Sequence, residues 1–216
     1  MAESSNYPPM SNTVTVVGPH FCSPYPVDLT IVSEGLSVRD NFAVTDVKGN
    51  IVFKVKGSLF NIRDRHILLD ANGNPVLSMQ QKIMSAHMRW EVFRGESSDS
   101  KDLLFSTKKP TIFQMKTKLD AFLAANTKEE VCDFKIKGSW SERSCTIYLG
   151  ESSNVIAQMH KKQQWFKKDR FMVTVYPNID YAFIVALIVI LNDINKRKQT
   201  VMATETLTAT PFVATG

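Results

Sequence analysis

Positive charge and aromatic rings are interleaved over residues 160–170. His160-Lys161-Lys162 and Lys167-Lys168-Asp169-Arg170 bracket Gln163-Gln164-Trp165-Phe166. Between two strand-like segments, this pattern predicts a hairpin tip carrying Trp and Phe among lysines. Such a tip has three readings. Its rings can enter a bilayer interface while the lysines meet lipid phosphates. It can stack on bases and pair with the phosphates of a nucleic acid. Or the two rings turn into the core and the lysines form a solvated face. The candidate anion- or lipid-binding residues are therefore Lys161, Lys162, Trp165, Phe166, Lys167, Lys168 and Arg170. A weaker cationic group is formed by Lys108-Lys109 and Lys116–Lys118.

No other residues make a constellation for chemistry. His20, His66, His87 and His160 are scattered, without the HExxH spacing of a zinc enzyme. Glycine-rich phosphate loops and a GxSxG nucleophile elbow are missing. Asp64 and Asp70 flank a basic, apolar stretch and read as loop carboxylates. Cys22, Cys132 and Cys145 are odd in number and lack CxxC or Cys/His spacing, so neither a zinc site nor a disulfide framework is indicated. Buried free thiols are the simplest reading, with a Cys132–Cys145 pairing across neighbouring strands left open. The sequence thus predicts no catalytic residues, metal or cofactor, and no enzyme.

Composition bounds the partners. The chain has 216 residues, 44% of them hydrophobic, and a formal net charge of +5 from 26 Lys+Arg against 21 Asp+Glu. That is enough apolar material for one sizeable core, and a mild excess of positive charge compatible with an anionic partner. The start, MAESSNYPPM, lacks the basic and apolar regions of a signal peptide. With thiols expected in the reduced state, the predicted location is cytoplasmic, with membrane association or a nuclear location both compatible.

The elements that position the tip are strands around one helix. Tyr181 to Leu191 is an unbroken apolar run, the strongest in the chain. It falls short of the roughly 20 apolar residues a membrane span needs. It has no polar face, so it must be enclosed on all sides. Asn178 and Asp180 can cap its start, and Lys196, Arg197 and Lys198 suit its end, which predicts a helix at about 179–195. Before it come short segments separated by turn signals at regular spacing, the pattern of an all-β sandwich or barrel. Lys48-Gly49-Asn50, Ala71-Asn72-Gly73-Asn74-Pro75 and Gly150-Glu151-Ser152-Ser153-Asn154 are the clearest turns. Leu119 to Ala124 fits a strand or one turn of helix. In Phe53-Lys54-Val55-Lys56 and Phe134-Lys135-Ile136-Lys137, apolar and basic residues alternate onto opposite sheet faces.

These two segments are also an internal repeat. Phe53-Lys54-Val55-Lys56-Gly57-Ser58 matches Phe134-Lys135-Ile136-Lys137-Gly138-Ser139, 81 positions later. Asn74 to Met79 lies over Asn154 to Met159, and Trp90-Glu91-Val92 over Phe171-Met172-Val173. Two similar halves closing on one helix make a single barrel with no free sheet edge. The expectation is a mainly β fold: a closed antiparallel barrel of about twelve strands around a buried C-terminal helix. Residues 21–198 form the domain, 1–20 a flexible N-terminal tail and 199–216 a flexible C-terminal tail. A monomer without a transmembrane segment is expected.

With those elements in view, the sequence resembles the plant LURP-one-related family, and in particular its small single-domain members. The resemblance rests on NFAVTDVKGNIVFKVKGS (41–58), ILLDANGNPVLSMQQK (67–82), RWEVFRGES (89–97), FKIKGSW (134–140) and DYAFIVALIVILNDIN (180–195). It implies the tubby-like fold, and a relation to tubby C-terminal domains and phospholipid scramblases. Tubby domains are tethered to membranes through phosphoinositides and linked to transcription, and the plant family is associated with pathogen defence. No motif of this chain aligns with the phosphoinositide-binding residues of tubby, and an acidic calcium-binding segment of the scramblase kind is not apparent. Two functions follow as expectations. One is a non-enzymatic module binding anionic phospholipid or phosphoinositide head groups. The other is a protein-interaction or DNA-associated signalling scaffold without lipid binding.

Overall fold

The computed structural model describes residues 13–33, 42–57, 65–82, 88–110, 117–139, 144–160 and 170–208. Twelve strands alternate inward apolar with outward polar residues. They are β1 (Val27–Ser33), β2 (Phe42–Thr45), β3 (Ile51–Gly57), β4 (Arg65–Asp70), β5 (Pro75–Gln81), β6 (Trp90–Arg94), β7 (Leu103–Lys108), β8 (Thr117–Leu123), β9 (Phe134–Ser139), β10 (Ser144–Leu149), β11 (Val155–His160) and β12 (Arg170–Val175). Each pairs antiparallel with its sequence neighbours, and β1 pairs with β12, from Val27↔Val175 to Val32↔Arg170, so the sheet closes into a barrel. Closure leaves no edge strand to template aggregation.

In β3, Phe53 and Val55 are buried while Lys54 and Lys56 are exposed. The repeat copy in β9 buries Phe134 and Ile136 in the same way. The repeated segments fall on β3 and β9, β5 and β11, β6 and β12, each pair six strands apart in a ring of twelve. The two halves therefore face each other across the barrel. The segment at 119–124, readable from sequence as strand or helix, is β8, with Leu119 and Ala121 inward. The strand expected at 111–115 lies outside the described residues.

The apolar run forms the start of α1 (Tyr181–Thr208), which threads the barrel. Every side chain from Ala182 to Leu191 is buried. Phe183 meets Phe105 edge-on at 4.9 Å between ring centroids and Phe134 at 4.6 Å. A barrel of this strand number has room for an element roughly 10–12 Å across, which one α-helix supplies. The helix is longer than the sequence pattern predicts. Its 28 residues span about 42 Å, roughly twice the length of a strand of the wall. Residues 199–208, expected in a flexible tail, continue the helix, and Lys196, Arg197 and Lys198 lie within it rather than at its end. The first half satisfies the barrel interior. The second half has helix-permissive residues and no proline or glycine to stop it before Pro211.

Residues 13–20, expected in the N-terminal tail, are also held in place. Val14 bridges Ile179, Cys22 bridges Asp180, and Val17 is buried, so this segment closes the barrel mouth at which the helix enters. The clasp is Asp180. One of its carboxylate oxygens accepts from the consecutive backbone N–H groups of Val16 (3.1 Å), Val17 (2.7 Å) and Gly18 (3.1 Å). The other accepts from Phe183 N–H at 3.1 Å and caps the helix.

Candidate functional site

The up-and-down order sets two ends. At the entry end, the helix begins and the connections β2–β3, β4–β5, β6–β7, β8–β9 and β10–β11 gather. At the exit end, α1 leaves the barrel. Of the stretch that carries the candidate lipid-binding residues, the flanking His160 ends β11 and Arg170 starts β12 at the exit end. Arg170 pairs with Val32 in the backbone ladder. Lys161, Lys162, Trp165, Phe166, Lys167 and Lys168 lie outside the described residues.

Charge is segregated between the two ends. Among the described residues, Lys56, Arg65, Lys82, Arg89, Lys108, Lys118 and Arg170 stand at or beside strand termini of the exit end, with Glu91, Asp120, Glu129 and Asp193 as the nearby carboxylates. Asp28, Asp46, Asp70, Glu96, Asp99, Asp102, Glu130, Asp133 and Glu151 stand on strand termini and connections of the entry end, against Lys48, Arg94, Lys101, Lys128 and Lys135. Some exit-end cations are already engaged. Glu129 accepts from Arg89 (2.9 Å) and Lys108 (3.3 Å), which pins the β8–β9 connector to the outer wall. Burial alone would raise the Glu129 carboxyl, but Arg89 and Lys108 hold it below the usual carboxylate range. Lys108 also lies 4.4 Å over the Phe122 ring. Lys82 bridges Glu91 at 3.2 Å and stays largely exposed. Ion pairs this exposed contribute little to stability and leave their charge available to a partner.

Inside the exit end is a buried polar group that no motif announced. His66 Nε2 on β4 is bonded to Asp193 on α1, and the imidazole stacks near Trp90, 6.0 Å between centroids. This contact ties the helix to the wall near the end of its buried stretch. It is enclosed, with His66 and Asp193 each about 6% exposed, and so it is not presented to a substrate. The helical spacing of Asp193 to the apolar run, and the inward phase of His66 in β4, were the sequence signals for it.

The entry end holds a groove of about 720 Å³. Its floor is aromatic: Phe21, Phe53 and Tyr181 lie 5.5–5.7 Å apart by ring centroid. Two twin turns form its rim, Asp46-Val47-Lys48-Gly49-Asn50 and Asp70-Ala71-Asn72-Gly73-Asn74. In each turn, the aspartate accepts from the backbone N–H and the side-chain amide of the closing asparagine, at 2.8 Å for Asn50 and at 2.8 and 2.9 Å for Asn74. Gly49 (φ +87°) and Gly73 (φ +91°) supply the left-handed backbone that this turn requires. The asparagine amides, foremost among these donors, hold both carboxyls below the usual range. Sequence reasoning read the turns but missed the groove. The repeated Asp-x-x-Gly-Asn spacing was the available signal; that both copies meet over Phe21 and Tyr181 depends on the barrel's closure.

All three cysteines are free. Burial pushes the Cys145 thiol up to about 12 and the Cys132 thiol up to about 11, so neither resembles a reactive nucleophile. Among the described residues, no group of three His, Cys, Asp or Glu side chains could hold a metal ion, and no helix is long and apolar enough to cross a membrane.

Comparison with known proteins agrees with the architecture. Residues 27–193 match the family described as LURP-one-related. Protein LURP-one-related 15 of Arabidopsis thaliana is 52% identical over 186 residues, covering 84% of this chain and 86% of the relative. Protein LURP-one-related 10 of the same plant is 52% identical over 189 residues, covering 85% and 97%. An X-ray structure of an Arabidopsis thaliana protein, 48% identical in sequence, superposes with a TM-score of 0.69 over 84% of this chain and 98% of that one.

Proposed function

The chain belongs to the LURP-one-related family, and from that premise we propose that its barrel is a non-catalytic module that binds anionic phospholipid head groups through the exit end. The observation that carries this reading is the segregation of charge between the two barrel ends. A surface of negative potential orients such a dipole with its cationic strand termini inward, and each Lys or Arg near an anionic leaflet contributes about 1 kcal/mol. The segment linking His160 to Arg170 adds Lys161, Lys162, Lys167 and Lys168 to that end by sequence, with Trp165 and Phe166 as the interfacial rings. The helix stays in the barrel as its core, so binding is peripheral. A signalling role in plant defence is the setting we propose for it. Phosphoinositides, with several phosphates per head group, are the preferred ligands of such a cationic end.

Vesicle flotation tests the reading. Phosphatidylcholine vesicles with and without phosphatidylserine or a phosphoinositide are compared. The protein is expected to float with the anionic vesicles alone and to be released by salt, since exposed charges are screened within about 10 Å at 0.1 M. Lys167→Glu with Lys168→Glu is expected to weaken flotation. Equal recovery with neutral and anionic vesicles would refute lipid recognition. Retarded duplex DNA with a steep salt dependence, alongside that result, would favour the nucleic-acid reading instead.

A further inference from the structure

The lipid reading leaves the acidic entry end unused, and the groove there has the chemistry of a second interface. We propose that it docks an extended basic segment of a partner protein, with arginine or lysine stems on the aromatic floor and their cationic heads between Asp46 and Asp70. Charge complementarity carries the assignment. The groove's two carboxylates are fixed in place by their turns, Lys48 is the lysine of the rim, and the entry end around the groove keeps an excess of acidic over basic residues. The one guanidinium on the lining, that of Arg94, is committed to the wall, where it donates to the Val17 carbonyl at 2.9 Å.

Size and floor agree with this occupant. About 720 Å³ is within the usual range of a binding cleft, and its accessible apolar lining is Ile51, Val52, Val76 and Tyr181, with the buried rings of Phe21 and Phe53 packed behind them. Long cationic side chains suit such a site because their methylene stems pack on rings while the heads stay at a polar rim. Arginine is favoured over lysine, since its planar fork matches a carboxylate and stacks on aromatic faces. An anionic ligand is disfavoured by the same two aspartates. The two ends would then serve different partners: the exit end a lipid surface, the entry end a protein held away from it. This inference does not depend on lipid binding.

The test uses the full chain and a fluorescein-labelled peptide alternating arginine and leucine. Glutamine–leucine and glutamate–leucine peptides of the same length are the controls. The arginine peptide is expected to raise anisotropy on binding and to be displaced by salt, with neither control binding. Asn72→Lys and Ile51→Lys add a cation at exposed positions on the groove and should each weaken binding by about tenfold or more, equivalent to about 1.4 kcal/mol, without shifting the thermal midpoint. Equal binding of the glutamine peptide, or unchanged affinity in both lysine variants, would overturn the proposal. So would concentration-dependent self-association that Asn72→Lys abolishes, because the occupant would then be a second copy of this chain.

Discussion

Replacing Asp180 with asparagine should destabilise the fold, though by less than replacing it with alanine. The side chain is fully enclosed, and its two oxygens accept from four backbone N–H groups: Val16, Val17 and Gly18 on one oxygen, Phe183 on the other. In Asp180→Ala, the helix loses its cap, at about 1 kcal/mol. Three further donors lose their acceptor, at about 1–3 kcal/mol each if they stay buried. They need not stay buried, because residues 13–18 can swing into water. That escape forfeits the burial of Val17 and the bond from Val14 N–H to the Asn178 carbonyl, and it limits the total to about 3–4 kcal/mol. For a chain of this size, the thermal midpoint then falls by roughly 10 °C. Asparagine preserves the shape but turns one oxygen into an NH2 group. If the remaining oxygen keeps Phe183, the new NH2 faces three N–H donors. If the amide flips, the oxygen keeps the three donors while the NH2 group faces Phe183 N–H, so the cap is lost at about 1 kcal/mol or somewhat more. Urea unfolding supplies the energies, and limited proteolysis followed by mass spectrometry reports release of the segment around residues 13–26. An Asp180→Asn protein within about 0.5 kcal/mol of the parent, with an uncut N-terminus, would refute the four-donor clasp, because that loss is below what even one unsatisfied buried donor costs.

Two further outcomes follow from the geometry. At Gly138, φ is +149° and an added Cβ would sit 2.1 Å from the Ser144 carbonyl oxygen, so Gly138→Ala should cost about 3 kcal/mol by urea unfolding, through combined strain and overpacking. Gly49→Ala meets nothing within 4 Å and should cost only about 1–2 kcal/mol for its left-handed φ. Stability should also fall on the alkaline side. Burial holds the Cys132 and Cys145 thiols protonated up to about 11 and about 12, against 9.0 for an unperturbed thiol. The unfolded chain therefore releases these protons first, and stabilisation present below about pH 9 is lost progressively above it. Urea midpoints across that range should decline less steeply in Cys145→Ala than in the parent.

The sequence by itself determined the architecture. An apolar run with no polar face can only be an enclosed helix, and many short alternating strands with a two-fold repeat supply a wall that closes. Those are local and periodic signals, carried by such residues as Phe53, Val55, Phe134 and Ile136, whose phase along a strand fixes the face they occupy. The cationic character of 160–170 was equally plain from composition. Only the tertiary structure decided which distant residues meet. His66 joins Asp193 because β4 and the end of the buried helix reach the same level of the barrel. Asp180 gathers Val16, Val17 and Gly18 because the N-terminal segment crosses the mouth where the helix starts, although that segment reads as a tail. The Asp46 and Asp70 turns border one groove because closure places neighbouring hairpins around Phe21 and Tyr181. Periodicity encodes the direction a side chain faces. It does not encode the long-range register that sets which side chains share a site, and that register comes from closing the barrel around its helix.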